Sequence, residues 1–158
     1  MFDTRGYAVD LIGILKDVPM FADLDETQLG RIAGTASAGK FADGDTLFEE
    51  GSEAREFYVI TSGAVAINKN VAGGRKRNLD NLGPGDIIGE IALYDAEPRS
   101  ADAEALEDTH VLVFPNDVFL KLMADDHALA SNIQSKIIRV LCARLRATSD
   151  MLKEGVIW

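Results

Sequence analysis

Residues Gly89 to Ala101 read GEIALYDAEPRSA. The segment opens on Gly-Glu, passes through a short apolar helical turn and closes on Pro98-Arg99-Ser100-Ala101. Each part suits a small anion that sits beside a hydroxyl. Gly89 lets the backbone come close, and Glu90 accepts hydrogen bonds from hydroxyl groups. Arg99 offers a planar fork of donors matched to phosphate oxygens. The amides of Ser100 and Ala101 can join the N-terminus of the short turn in cradling the charge. Gly-Glu alone carries no information, and Pro-Arg-Ser in a loop is ordinarily a solvated turn. The two joined at this spacing, inside a β-rich stretch, are far more specific.

The surrounding region, residues 40–114, alternates short β-rich runs with glycine turns at Asp43-Gly44, Glu50-Gly51, Ser62-Gly63, Gly73-Gly74 and Gly83-Pro84-Gly85. Phe57–Ile60, Val65–Ile67 and His110–Phe114 are the clearest strands. About eight short strands at such spacing predict an antiparallel β-roll or jelly-roll barrel rather than a parallel sheet. The fold class is therefore mainly β with flanking helices (α+β), read as one domain over residues 1–158.

Helices are expected on both flanks. In residues 7–36, Leu11, Ile12 and Leu15, then Leu29, Ile32, Ala33 and Ala36, recur at helical spacing. Val18-Pro19 separates the two helices, and Asp23 or Asp25 is a candidate cap for the second. Within residues 115–153 a short helix, Asn116–Ala124, precedes a long one from His127 to about Lys153. Ile138 and Cys142 widen its apolar stripe beyond one face, which makes a second copy of this helix its natural partner.

Composition narrows the function. With 26 acidic against 16 basic residues the net charge is -10, which argues against nucleic acid or an anionic membrane as partner. An acidic protein that binds an anion must build a local positive site, which raises the importance of Arg99. Arg75-Lys76-Arg77 beside Gly73-Gly74 reads as a charged hairpin tip. The single cysteine, Cys142, permits no internal disulfide and fits a reducing cytoplasm. No signal peptide or membrane span is apparent. His110 and His127 lie outside any cluster with metal-ligand spacing, which weakens a metal-dependent cupin enzyme as the alternative.

The segment Gly89–Ala101 is similar to the phosphate-binding cassette of the cyclic-nucleotide-binding domain family. Glu50-Gly51, Phe57-Tyr58-Val59-Ile60 and Ser62-Gly63 resemble that family's strand framework, and Leu82-Gly83-Pro84-Gly85-Asp86-Ile87-Ile88 its approach to the cassette. Residues 143–150, ARLRATSD, resemble the end of the long helix in the catabolite activator branch. The resemblance implies that Ile88, Gly89, Glu90, Ile91, Ala92, Arg99, Ser100 and Ala101 surround the ribose phosphate, with Arg144 near Glu90. It implies that Thr148 and Ser149 read an adenine, the serine from a partner subunit, and that Ile67 and Leu79 lie against the purine.

On this reading the chain is a stand-alone sensor of cyclic AMP without a cofactor or metal. It signals through movement of its C-terminal helix to an effector protein and forms a homodimer through that helix, with no DNA-binding segment. Cyclic GMP is an alternative ligand, because Ser100 could touch a guanine amino group. A binding-inactive scaffold of the same fold is the other alternative. Asp102 departs from the family, where a threonine often stands. Facing outward it is harmless; facing inward it repels phosphate. Asp80 raises the same question.

Overall fold

The computed structural model describes residues 4–153. Helices α1 (Thr4–Asp17) and α2 (Glu26–Ala33) lead into strands β1 (Ser37–Phe41), β2 (Thr46–Phe48), β3 (Glu56–Ser62), β4 (Val65–Val71), β5 (Arg75–Leu82) and β6 (Ile87–Ile88). The short helix α3 (Ala92–Asp95) interrupts the strands before β7 (Asp102–Ala105) and β8 (Thr109–Pro115). Helices α4 (Asn116–Asp125) and α5 (His127–Lys153) close the chain. The first helix starts three residues earlier than its apolar spacing suggests, at Thr4 rather than near Tyr7.

Of the two candidate caps, Asp25 starts α2. Its carboxylate accepts from the Gln28 amide at 2.8 Å while the Gln28 side chain accepts from the Asp25 amide at 3.2 Å. Asp23 instead pairs with Lys136 of α5.

The strands form two antiparallel four-stranded sheets, ordered β1-β8-β3-β6 and β2-β7-β4-β5. Successive side chains of β3 point to opposite faces. Tyr58 and Ile60 join Val65, Leu82, Ile88, Ala103 and Val111 between the sheets. Phe57 and Val59 join Leu112, Phe114 and Phe119 on the outer face, where α1, α2, α4 and α5 pack. Phe57 stacks on Phe114 at 4.8 Å, and Phe119 meets Phe57 edge-on at 4.9 Å. Burying such rings contributes roughly 1.5–3 kcal/mol each, which fixes the first half of α5 through Leu129, Ile133 and Ile137. Beyond Ile137 the helix leaves this core: Ile138 and Leu145 are 58% and 68% exposed. No described helix is long and apolar enough to cross a membrane.

Candidate functional site

The cassette reaches its position through its backbone. Arg99 donates from its amide to Ser52 O at 2.9 Å and accepts from the Gly51 amide at 2.8 Å, so the turn after β2 pins it on both sides. Its side chain runs inward until only 5% of the residue is exposed. There Nη2 donates to Glu56 O at 2.7 Å, and the guanidinium lies 4.1 Å above the Phe48 ring. Beneath, the Tyr58 hydroxyl donates to the Glu56 carboxylate at 2.6 Å. Arg99 Nε and Nη1 are buried without a hydrogen-bond partner among the described residues. Burial draws the arginine below its ordinary pKa.

Gly89 makes this possible. Its φ is +81°, and a Cβ there would stand 2.3 Å from Arg99 Nη1. Only glycine lets the guanidinium pass. The next residue, Glu90, is 2% exposed. Its Oε1 pairs with Arg144 of α5, whose Nη2 also donates to Ile87 O at 3.1 Å. Glu90 Oε2 has no hydrogen-bond partner among the described residues. Burial pushes this carboxyl above its usual range, with Arg144 pulling the other way.

Glu90 and Arg99 face one cavity of about 160 Å³. Of the residues singled out in the sequence, Ile67, Ile88, Gly89, Glu90, Ile91, Ala92, Arg99, Ser100, Ala101 and Arg144 line it. Phe48, Leu82, Asp95, Glu97 and Pro98 line it as well and were not singled out. Phe48 comes from β2, far from the cassette in sequence, and Leu82 from the end of β5, on the approach to it. The strand phase that turns Val65 and Leu82 to the same inner face is the signal that points to Leu82.

Three expected residues lie elsewhere. Leu79 is 47% exposed and does not line the cavity. It stands three positions from Leu82, hence on the opposite face, inside a bulge where Ile67 pairs with Asp80 and Asn68 with Asn78. Thr148 and Ser149 are exposed on α5 outside the cavity, and the Thr148 hydroxyl donates to Arg144 O at 3.0 Å. In the single chain the cavity is lined without either.

The two doubtful carboxylates also lie outside the cavity. Asp80 is exposed and accepts from the Asn81 amide at 2.9 Å. Asp102 is buried behind the cassette, where Oδ1 accepts from the Glu50 amide at 2.7 Å and Oδ2 pairs with Lys76 at 2.8 Å. The Glu50 amide and Lys76 hold it below the usual carboxylate range. Among the described residues no His, Cys, Asp and Glu cluster could hold a metal ion.

Among the described residues, two guanidinium nitrogens of Arg99 and one carboxylate oxygen of Glu90 lack partners, on side chains that line one cavity with apolar strand residues. Unpaired charged groups of this kind are costly when buried. A ligand with anionic oxygens at one end and a hydroxyl at the other satisfies them together.

Residues 39–126 match the family model described as "Cyclic nucleotide-binding domain". The chain is 28% identical over 141 residues to a CRP-like cAMP-activated global transcriptional regulator of Mycobacterium tuberculosis, covering 89% of this chain and 61% of that protein. It is 36% identical over 110 residues to a cAMP-dependent protein kinase regulatory subunit of Aspergillus fumigatus, covering 69% of this chain and 26% of the subunit. The chain thus spans 61% or less of the length of these two relatives. A solved cyclic nucleotide-binding domain from Methylobacillus flagellatus superposes with a TM-score of 0.81 at 23% identity, covering 95% and 84% of the two chains. That likeness bears on the fold.

Proposed function

The chain belongs to the cyclic nucleotide-binding domain family, and from that premise we infer that it is a sensor of cyclic AMP. The observation that carries this reading is the set of buried polar atoms without a partner among the described residues, on side chains that line one cavity: Arg99 Nε and Nη1, which a phosphate would satisfy, and Glu90 Oε2, which a ribose hydroxyl would satisfy. Charge-assisted bonds to the phosphate contribute roughly 1.5–3 kcal/mol each. The amides of Ser100 and Ala101 add donors, and Ile67, Ile88 and Leu82 give the base an apolar bed. The relatives named for cAMP support the choice of nucleotide. We assign no cofactor, metal or catalytic step, and place the protein in the cytoplasm, where Cys142 stays reduced.

Signalling on this reading is a population shift. Arg144 ties α5 to Glu90, so a ligand that bonds Glu90 favours one position of α5 over another. The exposed Ile138 and Leu145 face is assigned to a second copy of the chain, and the effector reads the moved helix.

Titration calorimetry with cyclic AMP, cyclic GMP and 2′-deoxy cyclic AMP tests the reading. Cyclic AMP is expected to bind best and the deoxy analogue at least about tenfold more weakly, because Glu90 is then left unpaired. Arg99→Ala is expected to lose about a hundredfold or more in affinity while its circular dichroism is unchanged. No heat and no thermal shift with any of the three would assign the fold to a scaffold; tighter binding of cyclic GMP would move the base reading to Ser100.

A further inference from the structure

The two carbonyls flanking Ser100 are both tied to the outside of the cassette. Arg99 O accepts from the Gly51 amide at 2.8 Å, and Ser100 O accepts from the Lys69 ammonium at 2.6 Å. A trans peptide carries its C=O and N–H on opposite edges. These two holds therefore turn the Ser100 amide away from Gly51 and the Ala101 amide away from Lys69. Both residues line the cavity, and neither amide donates a hydrogen bond among the described residues.

Lys69 is itself held in place. Its ammonium pairs with Glu50 Oε1 at 2.6 Å, and Glu50 Oε2 accepts from the Asn70 amide at 2.9 Å. The Glu50 amide donates to Asp102 at 2.7 Å, and Asp102 pairs with Lys76 at 2.8 Å. A continuous chain of contacts thus runs from Lys76 of β5 through Asp102, the Glu50 amide and the Glu50 carboxylate to Lys69 and the Ser100 carbonyl. None of Lys69, Glu50, Asp102 and Lys76 lines the cavity. Asp102, the departure from the family's usual threonine, anchors this chain of contacts from the face of β7 opposite Ala103 and is itself 4% exposed.

We propose that Lys69 is a positioning residue for anion binding: its ammonium fixes the Ser100–Ala101 peptide plane, and Glu50 with Asp102 fixes Lys69. The amide donors are then preset before a ligand arrives, and the ammonium polarises the peptide so that its far N–H donates more strongly. The inference rests on the cyclic nucleotide reading above.

The test uses the full chain with Lys69→Met and Lys69→Arg. Each is titrated with cyclic AMP and with adenosine, which has the base and ribose but no phosphate, while the Ala101 amide is followed by ¹⁵N–¹H NMR. Lys69→Met is expected to bind cyclic AMP about tenfold more weakly, to keep the parent's response to adenosine and to show a smaller downfield move of Ala101. Lys69→Arg is expected to recover to within about threefold of the parent. Should Lys69→Met fail to fold, Glu50→Gln, which loosens Lys69, is expected to weaken cyclic AMP about threefold with the same Ala101 signature. Binding within about twofold of the parent with an unchanged Ala101 shift overturns the inference and leaves the nucleotide reading standing. Equal losses for both ligands also overturn it, since they mark Lys69 as merely structural. A parent that binds no cyclic nucleotide overturns both.

Discussion

The Glu90 carboxylate is 2% exposed, paired through one oxygen with Arg144 and, among the described residues, without a partner at the other. Burial lifts its pKa above the ordinary value near 4.5. Below that value both folded and unfolded chains hold the proton, and no penalty arises. As pH rises through it the unfolded chain releases the proton first, so this residue lowers stability through the window up to its folded pKa. Glu90→Gln is therefore expected to melt above the parent at pH 7, with the gap closing as pH falls toward 4, and to lose the preference for ribose over deoxyribose. Melting curves across that range check it; a variant that melts lower at pH 7 would show that the Arg144 pair outweighs burial. This residue was legible from sequence because the cassette is contiguous. Phe48 was not: its place under Arg99 depends on a three-residue strand brought in from another part of the chain. Asp102 was legible as a departure, but its partners Glu50 and Lys76 are set by strand pairing that the local sequence does not specify.

Among the elements, the strands with alternating apolar residues and α5 were readable from periodicity, since burial on one face imposes that pattern. The bulge in the β4–β5 pair carries no such signature, and with it Leu79 stands exposed outside the cavity. Helix α5 is half-partnered. Leu129, Ile133 and Ile137 are buried, whereas Ile138, Cys142 and Leu145 are exposed along its later turns. Replacing Ile138 and Leu145 together by glutamate is expected to convert a dimer to a monomer, with little change in monomer stability because neither side chain is buried in the single chain. Sedimentation of parent and variant checks this; a parent that is monomeric with and without ligand removes the partner helix from the proposal. A partner helix would also be the means of bringing Ser149 to a base, so the same variant is expected to narrow the preference for cyclic AMP over cyclic GMP.

At the scale of the whole molecule, the β1-β8-β3-β6 sheet serves two cores. Tyr58 lies beneath Arg99 in the core between the sheets, while Phe57, its neighbour in sequence, packs on Phe114 and Phe119 on the helix side. Phe57→Leu is expected to lower stability by about 1–3 kcal/mol and to weaken nucleotide binding severalfold. Ile133→Ala, one layer further out in α5, is expected to cost about 2–5 kcal/mol and leave affinity within about twofold. Denaturant titration with calorimetry separates the two; equal effects on affinity would contradict the layered picture. The deeper consequence is that the guest's chamber owns only one side of its ceiling. A partition a single strand thick insulates little, so drift over generations at the rings that touch its far face, Phe114 and Phe119, would retune how firmly the visitor of the proposed reading is held, while the helix turns beyond them are damped.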